Sequence, residues 1–597
     1  MRTWRTWLAV GAALSVWPGV GAAQENPFQQ GVSYQIEAVL DEDAQVLHGR
    51  ARVSYTNHSP DALDALYFHL YLNAFRPGST WARVEQRRQY DFASLEDPDY
   101  AYERLTSVRV DGAEVSLAYP HAPDSTVVRL DLPAPLAPGE TAVVDLDWDA
   151  RPSTLCRRQC RQGRHWDLAQ WYPRVAVYDR GGWQAHPLYP QGEFYGEFAT
   201  YDVALDVADD QVIGATGVAV RGDPGWRPSP WSPERQVDYQ RGWYGPRPPL
   251  EDLGLFAAVP PPGRKRVRFH AEDVHHFAWT ASPDYRYEQV HHGDVVVRVL
   301  YRPGDLDWDL GAAARRTVRA LEWLEGVFGP YPYPQLTNVH RLESGGTEFP
   351  MMIMDGGPGQ GLITHETAHQ YAHGILANNE WREAWLDEGM ATFLTNWFSE
   401  EVGGVEDVWT RTVRGLADLE RQNREYAVDR PSEDFPSFGV YGAMAYSKPG
   451  VVLRMLREYV RPDVMRRILA TYYERFRFRH VTGVDFQAVA EEVAGEELGW
   501  FFDQWIRSTA MLDYAVTGAE LEDIGGGRYR ITVTVTRTGE AWMPVVLQVG
   551  EERRTLTSRE ATQTVVVETE GIPDEVVLDP DAVLLDANPD NNRHPVG

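Results

Sequence analysis

The feature that most constrains this 597-residue chain is a short run of histidine and glutamate beyond its midpoint. His365-Glu366-Thr367-Ala368-His369 places two histidines four residues apart, and residues at that spacing lie on one face of a helix. Both imidazoles can therefore bind one ion, with Glu366 beside it. Glu388 follows His369 by 19 residues, far enough for a second helix to supply a third ligand. Two histidines and one glutamate leave the fourth tetrahedral position of zinc open, which is typical of catalytic zinc sites.

A third histidine continues this spacing, since His373 lies four residues after His369. A continued helix carries it about 6 Å further along the axis, so we expect it to pack beside the site rather than to bind the ion. Five further histidines lack the spacing of a metal-binding helix, and we expect them at the surface. They are His270, His275, His276, His291 and His292.

Residues 1–23 have the pattern of a secretory signal peptide. Arg2 and Arg5 form a charged start, and a short apolar run from Leu8 to Val16 follows. Gly21-Ala22-Ala23 then supplies the small residues that a signal peptidase needs. An uncleaved anchor helix is the alternative, although the apolar run is shorter than the roughly 20 residues that span a bilayer. We expect a periplasmic or secreted protein with no transmembrane segment after cleavage.

Cys156 and Cys160 are the only cysteines of the chain. In an oxidising compartment they can form one small local disulfide, and two free thiols are the alternative. Their spacing gives no zinc pattern without further cysteines or a paired histidine. We therefore favour the disulfide and assign neither cysteine to catalysis.

The chain is strongly acidic, with a formal net charge of −30. Nucleic-acid binding depends on clustered cations, so this charge argues against a nucleic-acid partner. An acidic surface can also attract cationic ligands such as peptide amino termini, although this long-range effect is weak.

Three regions with different periodicity follow one another along the chain. Short alternating runs, as in 51–55, 529–535 and 545–549, predict β-strands in the first and last regions. The middle has helical periodicity, as in 462–476 and in 362–376 and 383–401, of which the last two carry the metal-binding pattern. We predict a signal peptide at 1–23, an N-terminal β domain at 24–285 with a Pro- and Trp-rich insertion at 222–262, a helical domain at 286–511 and a C-terminal β-sandwich at 512–597.

The pattern resembles the zinc exopeptidases of the aminopeptidase N and leukotriene-hydrolase family, the gluzincins. The similarity covers 30–590. It begins with the spacing of His365, Glu366, His369 and Glu388 and extends to the runs 378–380, 385–389, 446–450 and 501–505. It implies a multidomain α+β fold, with an N-terminal β-sandwich or saddle, a thermolysin-like and mostly helical catalytic domain, and a C-terminal β-sandwich. It also implies one zinc ion per chain.

The resemblance further assigns residues that bind substrate. The family motif Gly-Xaa-Met-Glu-Asn has its counterpart in 345–349, with Gly345 and Gly346 retained and Thr347 in place of Met. Glu348 matches the glutamate that binds the substrate's ammonium group, a role that suits a buried carboxylate. Phe349 replaces the family Asn, which puts part of the grip on the substrate backbone in doubt. The alternative is that Glu348 is only a polar strand residue.

Two more residues are carried over from the family. Tyr446 matches the tyrosine that stabilises the tetrahedral intermediate, because a phenol donates a hydrogen bond at neutral pH. Tyr441 is the rival donor, and a packing role for either tyrosine is the alternative. Gln170 corresponds less closely to a family glutamine that touches the amino end of the substrate.

The resemblance therefore implies a zinc-dependent aminopeptidase acting on peptides with a free N-terminus. A zinc-bound water would attack the first peptide bond, with Glu366 as general base. The alternatives are a secreted zinc endopeptidase, which would also cut N-terminally blocked peptides, and a peptide-binding relative without catalytic activity. The family also raises the prospect of epoxide hydrolysis.

Overall fold

The computed structural model describes residues 28–237, 252–257 and 259–596. The predicted signal peptide lies outside the described residues, as does the middle of the predicted insertion 222–262. Within the described ranges, no helix combines the length and the apolar character that a membrane span requires.

An eight-stranded sheet forms the body of the N-terminal region. Gly31–Asp41 lies between two partners, pairing antiparallel with Val46–Thr56 and parallel with Ala199–Ala208. Burial alternates along Val46–Thr56, because successive side chains of a strand point to opposite faces. Across the sheet the strands are Val218–Arg221, Arg264–Val274, Ala199–Ala208, Gly31–Asp41, Val46–Thr56, Thr141–Arg151, Tyr102–Val110 and Ala113–Glu114.

Two four-stranded sheets and a short hairpin complete the region. The expected disulfide is confirmed, since Cys156 and Cys160 are bonded, and it closes a loop directly before one of these sheets. The first sheet contains Val212–Ala215, Trp279–Ser282, His165–Leu168 and Cys160–Gln162; the second contains Arg174–Val175, Leu63–His69, Val127–Leu136 and Leu117–Ala118; the hairpin is Tyr178–Asp179 and Gly182–Trp183.

A mixed five-stranded sheet and a set of helices form the middle region. The short strand Glu348–Phe349 lies at the sheet edge, antiparallel to Met352–Asp355. The other strands are Arg286–His292, Val295–Tyr301 and Gln335–His340. The helices are Ala312–Glu325, Gln360–Ala372, Glu388–Glu401, Thr410–Arg421, Phe438–Tyr441, Lys448–Val460, Pro462–Phe476, Gly483–Ala494 and Gly499–Trp505.

The two helices that carry the metal-binding pattern pack against each other; we call Gln360–Ala372 the motif helix and Glu388–Glu401 the glutamate helix. Both are shorter than predicted. The motif helix ends before His373, and the chain then forms the strand Leu376–Asn378, which pairs in parallel with Arg479–Val481. Before the glutamate helix, the chain forms a separate 3-10 turn.

Two elements of the middle region were not predicted. Thr410–Arg421 is a helix that buries Val413, Leu416 and Ala417 on one face. Gly442–Ser447 is a segment of π-helix immediately before Lys448–Val460. Such segments insert one extra residue into a helical turn and are frequent at functional sites.

Two sheets form the C-terminal region, as the alternating pattern predicted. The strand predicted at 545–549 is present with the same bounds. One sheet contains Asp513–Gly525, Arg528–Thr538 and Thr562–Glu570, and the other contains Glu552–Leu556, Val545–Val549, Glu575–Leu578 and Arg593–Pro595. A continuous cluster of buried side chains runs through all three regions, from Val32 to Leu585.

Candidate active site

Three side chains of the two packed helices converge on one point. The Nε2 atoms of His365 and His369 lie 3.2 Å apart, and Oε2 of Glu388 lies 3.2 Å from the first and 3.3 Å from the second. Two donors bound to tetrahedral zinc at roughly 2.0–2.1 Å are about 3.3 Å apart. The spacing and the donor types therefore fit a zinc ion held by His365, His369 and Glu388.

A buried carboxylate orients one of these ligands. Oδ1 of Asp387 accepts a hydrogen bond from Nδ1 of His369, so Nε2 of the same ring is left as the metal-binding atom. Asp387 is fully buried, and burial raises the pKa of its carboxyl group. Asp387 directly precedes the glutamate helix. The residue that orients His369 is therefore the chain neighbour of Glu388, which supplies the third ligand.

Glu366 lies on the motif helix with its carboxylate beside the edge strand. Burial, together with the nearby Glu348, raises the pKa of Glu366 well above its ordinary value. Its Oε2 atom has no hydrogen-bond partner among the described residues. A Cβ atom at Gly346 would lie 2.0 Å from Oε1 of Glu366, so only glycine leaves room for this carboxylate. The site therefore contains a buried carboxylate that is available to accept a proton.

The edge strand brings Glu348 to the metal centre. Carboxylate oxygens of Glu348 and Glu366 and a ring nitrogen of His369 lie within 4.8 Å of one another. Phe349 is buried, and its ring lies 6.0 Å from that of His276. Because neighbouring strand residues point to opposite faces, Phe349 packs into the core while Glu348 points towards Glu366 and His369.

The π-helical segment places Tyr446 against the metal site. Its hydroxyl donates to Oε1 of Glu388, and its ring lies nearly parallel to that of His365, at 6.2 Å. Tyr441 is buried behind it, with the two tyrosine rings edge to face at 5.9 Å. Of the two candidate tyrosines, Tyr446 is thus the one in contact with a metal-site residue.

The structure gives no such contact for Gln170. This residue is buried, has a positive φ of 54°, and its side-chain nitrogen has no hydrogen-bond partner among the described residues. No described hydrogen bond or ion pair joins it to Glu348 or to the three metal-site residues. Its predicted contact with the substrate stays a prediction.

Two charged residues near the site were not predicted. Arg158 forms a buried ion pair with Glu193, and its guanidinium also lies 3.9 Å from a carboxylate oxygen of Glu348. Burial raises the pKa of Glu193 to about 8. The one signal in the sequence was that Arg158 lies between the two cysteines, which restricts where its side chain can go.

The prediction that the five histidines outside the motif lie at the surface is wrong for three of them. His275 and His276 are buried beside His373, which follows the motif helix directly. Arg174 contacts a ring nitrogen of His276, and Glu380 contacts Nδ1 of His373. Since a guanidinium approaches the cluster from one end and a carboxylate from the other, we interpret it as a charge-balanced network that joins the N-terminal region to the motif helix. His270 is also buried, whereas His291 and His292 are partly exposed.

Comparison with known proteins gives a consistent result. A sequence model described as "Peptidase family M1 domain" matches residues 359–505, which include both helices of the metal site. Aminopeptidase M1-A of Oryza sativa subsp. japonica is 26% identical over 172 residues, covering 27% of this chain and 19% of the relative. Human glutamyl aminopeptidase is 26% identical over 155 residues, covering 24% and 16%. The chain thus spans about a fifth of the length of the curated relatives it matches.

Solved structures extend the likeness to most of the fold. A crystal structure of an M1 zinc metallopeptidase from Deinococcus radiodurans superposes with a TM-score of 0.53 at 17% identity, covering 80% of this chain and 94% of that one. A mutant of that metallopeptidase has also been solved bound to a Tyr-Ser-Ala substrate. Residues 359–505 therefore match the peptidase family M1 domain, the wider fold resembles that of M1 zinc metallopeptidases, and the geometry of His365, His369 and Glu388 fits the zinc ion of such proteins.

Proposed function

We propose that this protein is an aminopeptidase that hydrolyses the first peptide bond of peptides with a free amino terminus. One observation carries the proposal: Glu348 lies on the edge strand within 4.8 Å of both Glu366 and His369. A carboxylate so close to the reaction centre can bind the substrate's ammonium group only if the scissile bond is the first one. The names of the relatives and the peptide bound by the Deinococcus radiodurans metallopeptidase mutant support the same substrate class.

Each residue of the metal site has its own role in the proposed reaction. His365, His369 and Glu388 would hold the zinc ion, which when bound supplies a Lewis acid that acidifies water and polarises a carbonyl. Glu366 accepts a proton from the attacking water at its unpaired Oε2 and later delivers it to the leaving amine. Asp387 keeps the His369 ring in the tautomer that leaves Nε2 available.

Tyr446 and Glu348 act on the substrate itself. A phenol has an ordinary pKa of about 10, so Tyr446 carries its proton at neutral pH and can donate it in a hydrogen bond to the developing oxyanion. Its present contact with Oε1 of Glu388 places the hydroxyl beside the metal site. Glu348 pairs with the ammonium group, and this pairing aligns the first carbonyl with Glu366 and the metal centre.

A comparison of free and blocked substrates tests the proposal. The purified protein is assayed on aminoacyl-chromophore substrates and on their N-acetylated forms, with and without a zinc chelator. We expect hydrolysis of the free substrates only, abolished by the chelator and restored by added zinc. Equal cleavage of internal bonds in blocked peptides would support an endopeptidase. Binding of peptides without any turnover would support a non-catalytic relative.

We also propose that the protein is exported to the periplasm or secreted. The signal-peptide pattern of residues 1–23 supports this, and so does the Cys156–Cys160 disulfide, because such bonds persist in oxidising compartments. Amino-terminal sequencing of the protein recovered from a periplasmic extract or from culture medium tests it. We expect a mature chain that begins near Gln24.

A further inference from the structure

A disulfide closes a short loop whose Arg158 side chain reaches the candidate active site. Cys156 and Cys160 are bonded, and between them Arg158 has a positive φ of 64°, which few residues other than glycine adopt. The backbone N–H of Arg158 donates to Oε2 of Glu343 at 2.8 Å. Oε1 of Glu343 in turn accepts a hydrogen bond from Tyr90 at 3.1 Å. The disulfide and the hydrogen bond to Glu343 therefore both hold the backbone of the loop in place.

The loop directs the Arg158 side chain towards the proposed ammonium-binding residue. Its guanidinium is buried, lies 5.5 Å from the centre of the Phe194 ring, and donates to Oε1 of Glu193. A second guanidinium nitrogen lies 3.9 Å from Oε1 of Glu348. That distance exceeds hydrogen-bond length, so Glu348 keeps its capacity to accept hydrogen bonds from a ligand.

The three charged groups contain two carboxylates but only one cation. Two carboxylates, Glu193 and Glu348, share a single guanidinium, and although burial raises the pKa of Glu193 to about 8, an ammonium group beside it favours its ionised form. The Oε2 atom of Glu193 is buried and has no hydrogen-bond partner among the described residues. An unpaired buried carboxylate oxygen costs free energy unless a ligand satisfies it. A single ammonium group supplies both the missing charge and the missing hydrogen-bond donors.

We propose that Arg158, held in place by the Cys156–Cys160 disulfide, is a positioning residue that fixes Glu193 and Glu348 as a joint receptor for the ammonium group of the substrate. The inference rests on the proposed aminopeptidase function and adds two elements to it. Glu193 becomes a binding residue from the N-terminal region, and substrate affinity becomes dependent on an intact disulfide. Without Arg158, the two buried carboxylates would lose the cation that lies near both, and their repulsion would favour protonation of one of them.

The experiment compares four variants with the parent enzyme on free aminoacyl substrates. They are Arg158→Gln, Arg158→Lys, Glu193→Gln and the double variant Cys156→Ser/Cys160→Ser. Removing one member of a buried charged group typically costs enough binding energy for at least a tenfold effect. We expect KM to rise by about tenfold or more for Arg158→Gln and Glu193→Gln, with kcat within about threefold of the parent. Arg158→Lys should recover part of the lost affinity, and the double serine variant should raise KM although Arg158 is still present.

Arg164→Gln serves as the matched control, because it removes one arginine charge at a half-exposed position that pairs with Glu42 and Asp210. Its KM should equal that of the parent. Zinc content and melting temperature are measured for every variant. If Arg158→Gln fails to fold, Arg158→Lys and Glu193→Gln carry the test.

The outcomes separate the two proposals. If the parent prefers free amines but neither Arg158→Gln nor Glu193→Gln changes KM, the positioning role is wrong and the aminopeptidase function stands. Equal fractional losses of kcat and of zinc would likewise overturn the inference, since they indicate only structural damage. If the parent shows no preference for free amines, both proposals fail together.

Discussion

At the scale of single residues, the metal site illustrates what spacing alone can predict. His365 and His369 had to share a helix face, and the later Glu388 had the right separation to join them. Arg158 and Glu193 gave no comparable signal, because they approach Glu348 from distant parts of the chain. Arg158 precedes Glu193 by 35 residues, and Glu348 follows Glu193 by 155 residues. Short-range periodicity encodes neighbours within an element, whereas contacts between loops become visible only in three dimensions.

Replacement of Glu366 by glutamine tests the general-base role. The amide keeps the size of the side chain but cannot accept the proton, so we expect kcat to fall by about 10²–10⁴-fold. Zinc content should stay at one ion per chain, because Glu366 is not among the three ligands. Steady-state kinetics and elemental analysis of the same preparation measure both quantities. Near-normal turnover with full zinc content would exclude Glu366 as the base.

Replacement of Gly346 by alanine tests the close approach beneath that carboxylate. The added Cβ would lie 2.0 Å from Oε1 of Glu366, so the carboxylate must move. We expect kcat to fall by about 10-fold or more, since the general base is displaced from its position. Gly357→Ala is the matched control, because a Cβ at Gly357 meets no atom within 4 Å. Equal activity of the two variants would contradict the steric argument.

At the scale of elements, the existence of most helices was predictable and their ends were less so. Pro462–Phe476 has the predicted bounds, since proline starts the helix and a clear apolar face runs along it. The motif helix instead stops before His373, where the chain turns into a strand whose partner lies a hundred residues later. Thr410–Arg421 was missed although its buried residues do follow helical spacing. Hydrophobic periodicity carries no information about pairing between distant strands or about local turns.

The π-helical segment gives a prediction of its own. Deletion of Ala443 removes the extra residue of Gly442–Ser447 and should convert it to regular α-helix, which rotates Tyr446 away from Glu388. We expect the deletion and Tyr446→Phe to lower kcat to a similar degree, by about 10²–10³-fold, as for loss of an oxyanion donor. Kinetics and zinc content of both variants provide the test. Unchanged kcat in Tyr446→Phe would remove the proposed oxyanion role.

At the scale of the whole molecule, the sequence predicted the order of a β region, a helical region and a second β region. It did not predict how they meet. His186 of the N-terminal region stacks on Trp381 of the middle region, with ring centres 4.1 Å apart, and the side chain of Gln504 forms two hydrogen bonds with the backbone of Trp542 in the C-terminal region. These contacts join residues whose separation in sequence carries no periodic signal.

The His186–Trp381 stack predicts a pH-dependent contribution to stability. Burial lowers the pKa of His186 to about 4, so the folded protein keeps this ring neutral while the unfolded chain takes up a proton below pH 6.5. The contribution of His186 is therefore fully present above about pH 6.5 and declines by up to about 1.4 kcal/mol per pH unit as the pH falls towards 4.

Urea unfolding at pH 7 and pH 5 measures this effect, with a chelator present so that zinc binding does not contribute. The parent should lose more free energy of unfolding between the two pH values than a His186→Gln variant does. An identical pH dependence of parent and variant would show that His186 does not titrate between the folded and unfolded states.

The disulfide-closed loop also bears on how such an enzyme could arise. The side chains proposed to cleave the bond all belong to the matched segment 359–505, whereas Arg158 and Glu193 come from the N-terminal region. If both proposals hold, the residues for bond cleavage and part of the residues for substrate binding are encoded in separate stretches of the gene. A mutation at Arg158 or Glu193 would then change which peptides bind and leave the side chains for bond cleavage untouched.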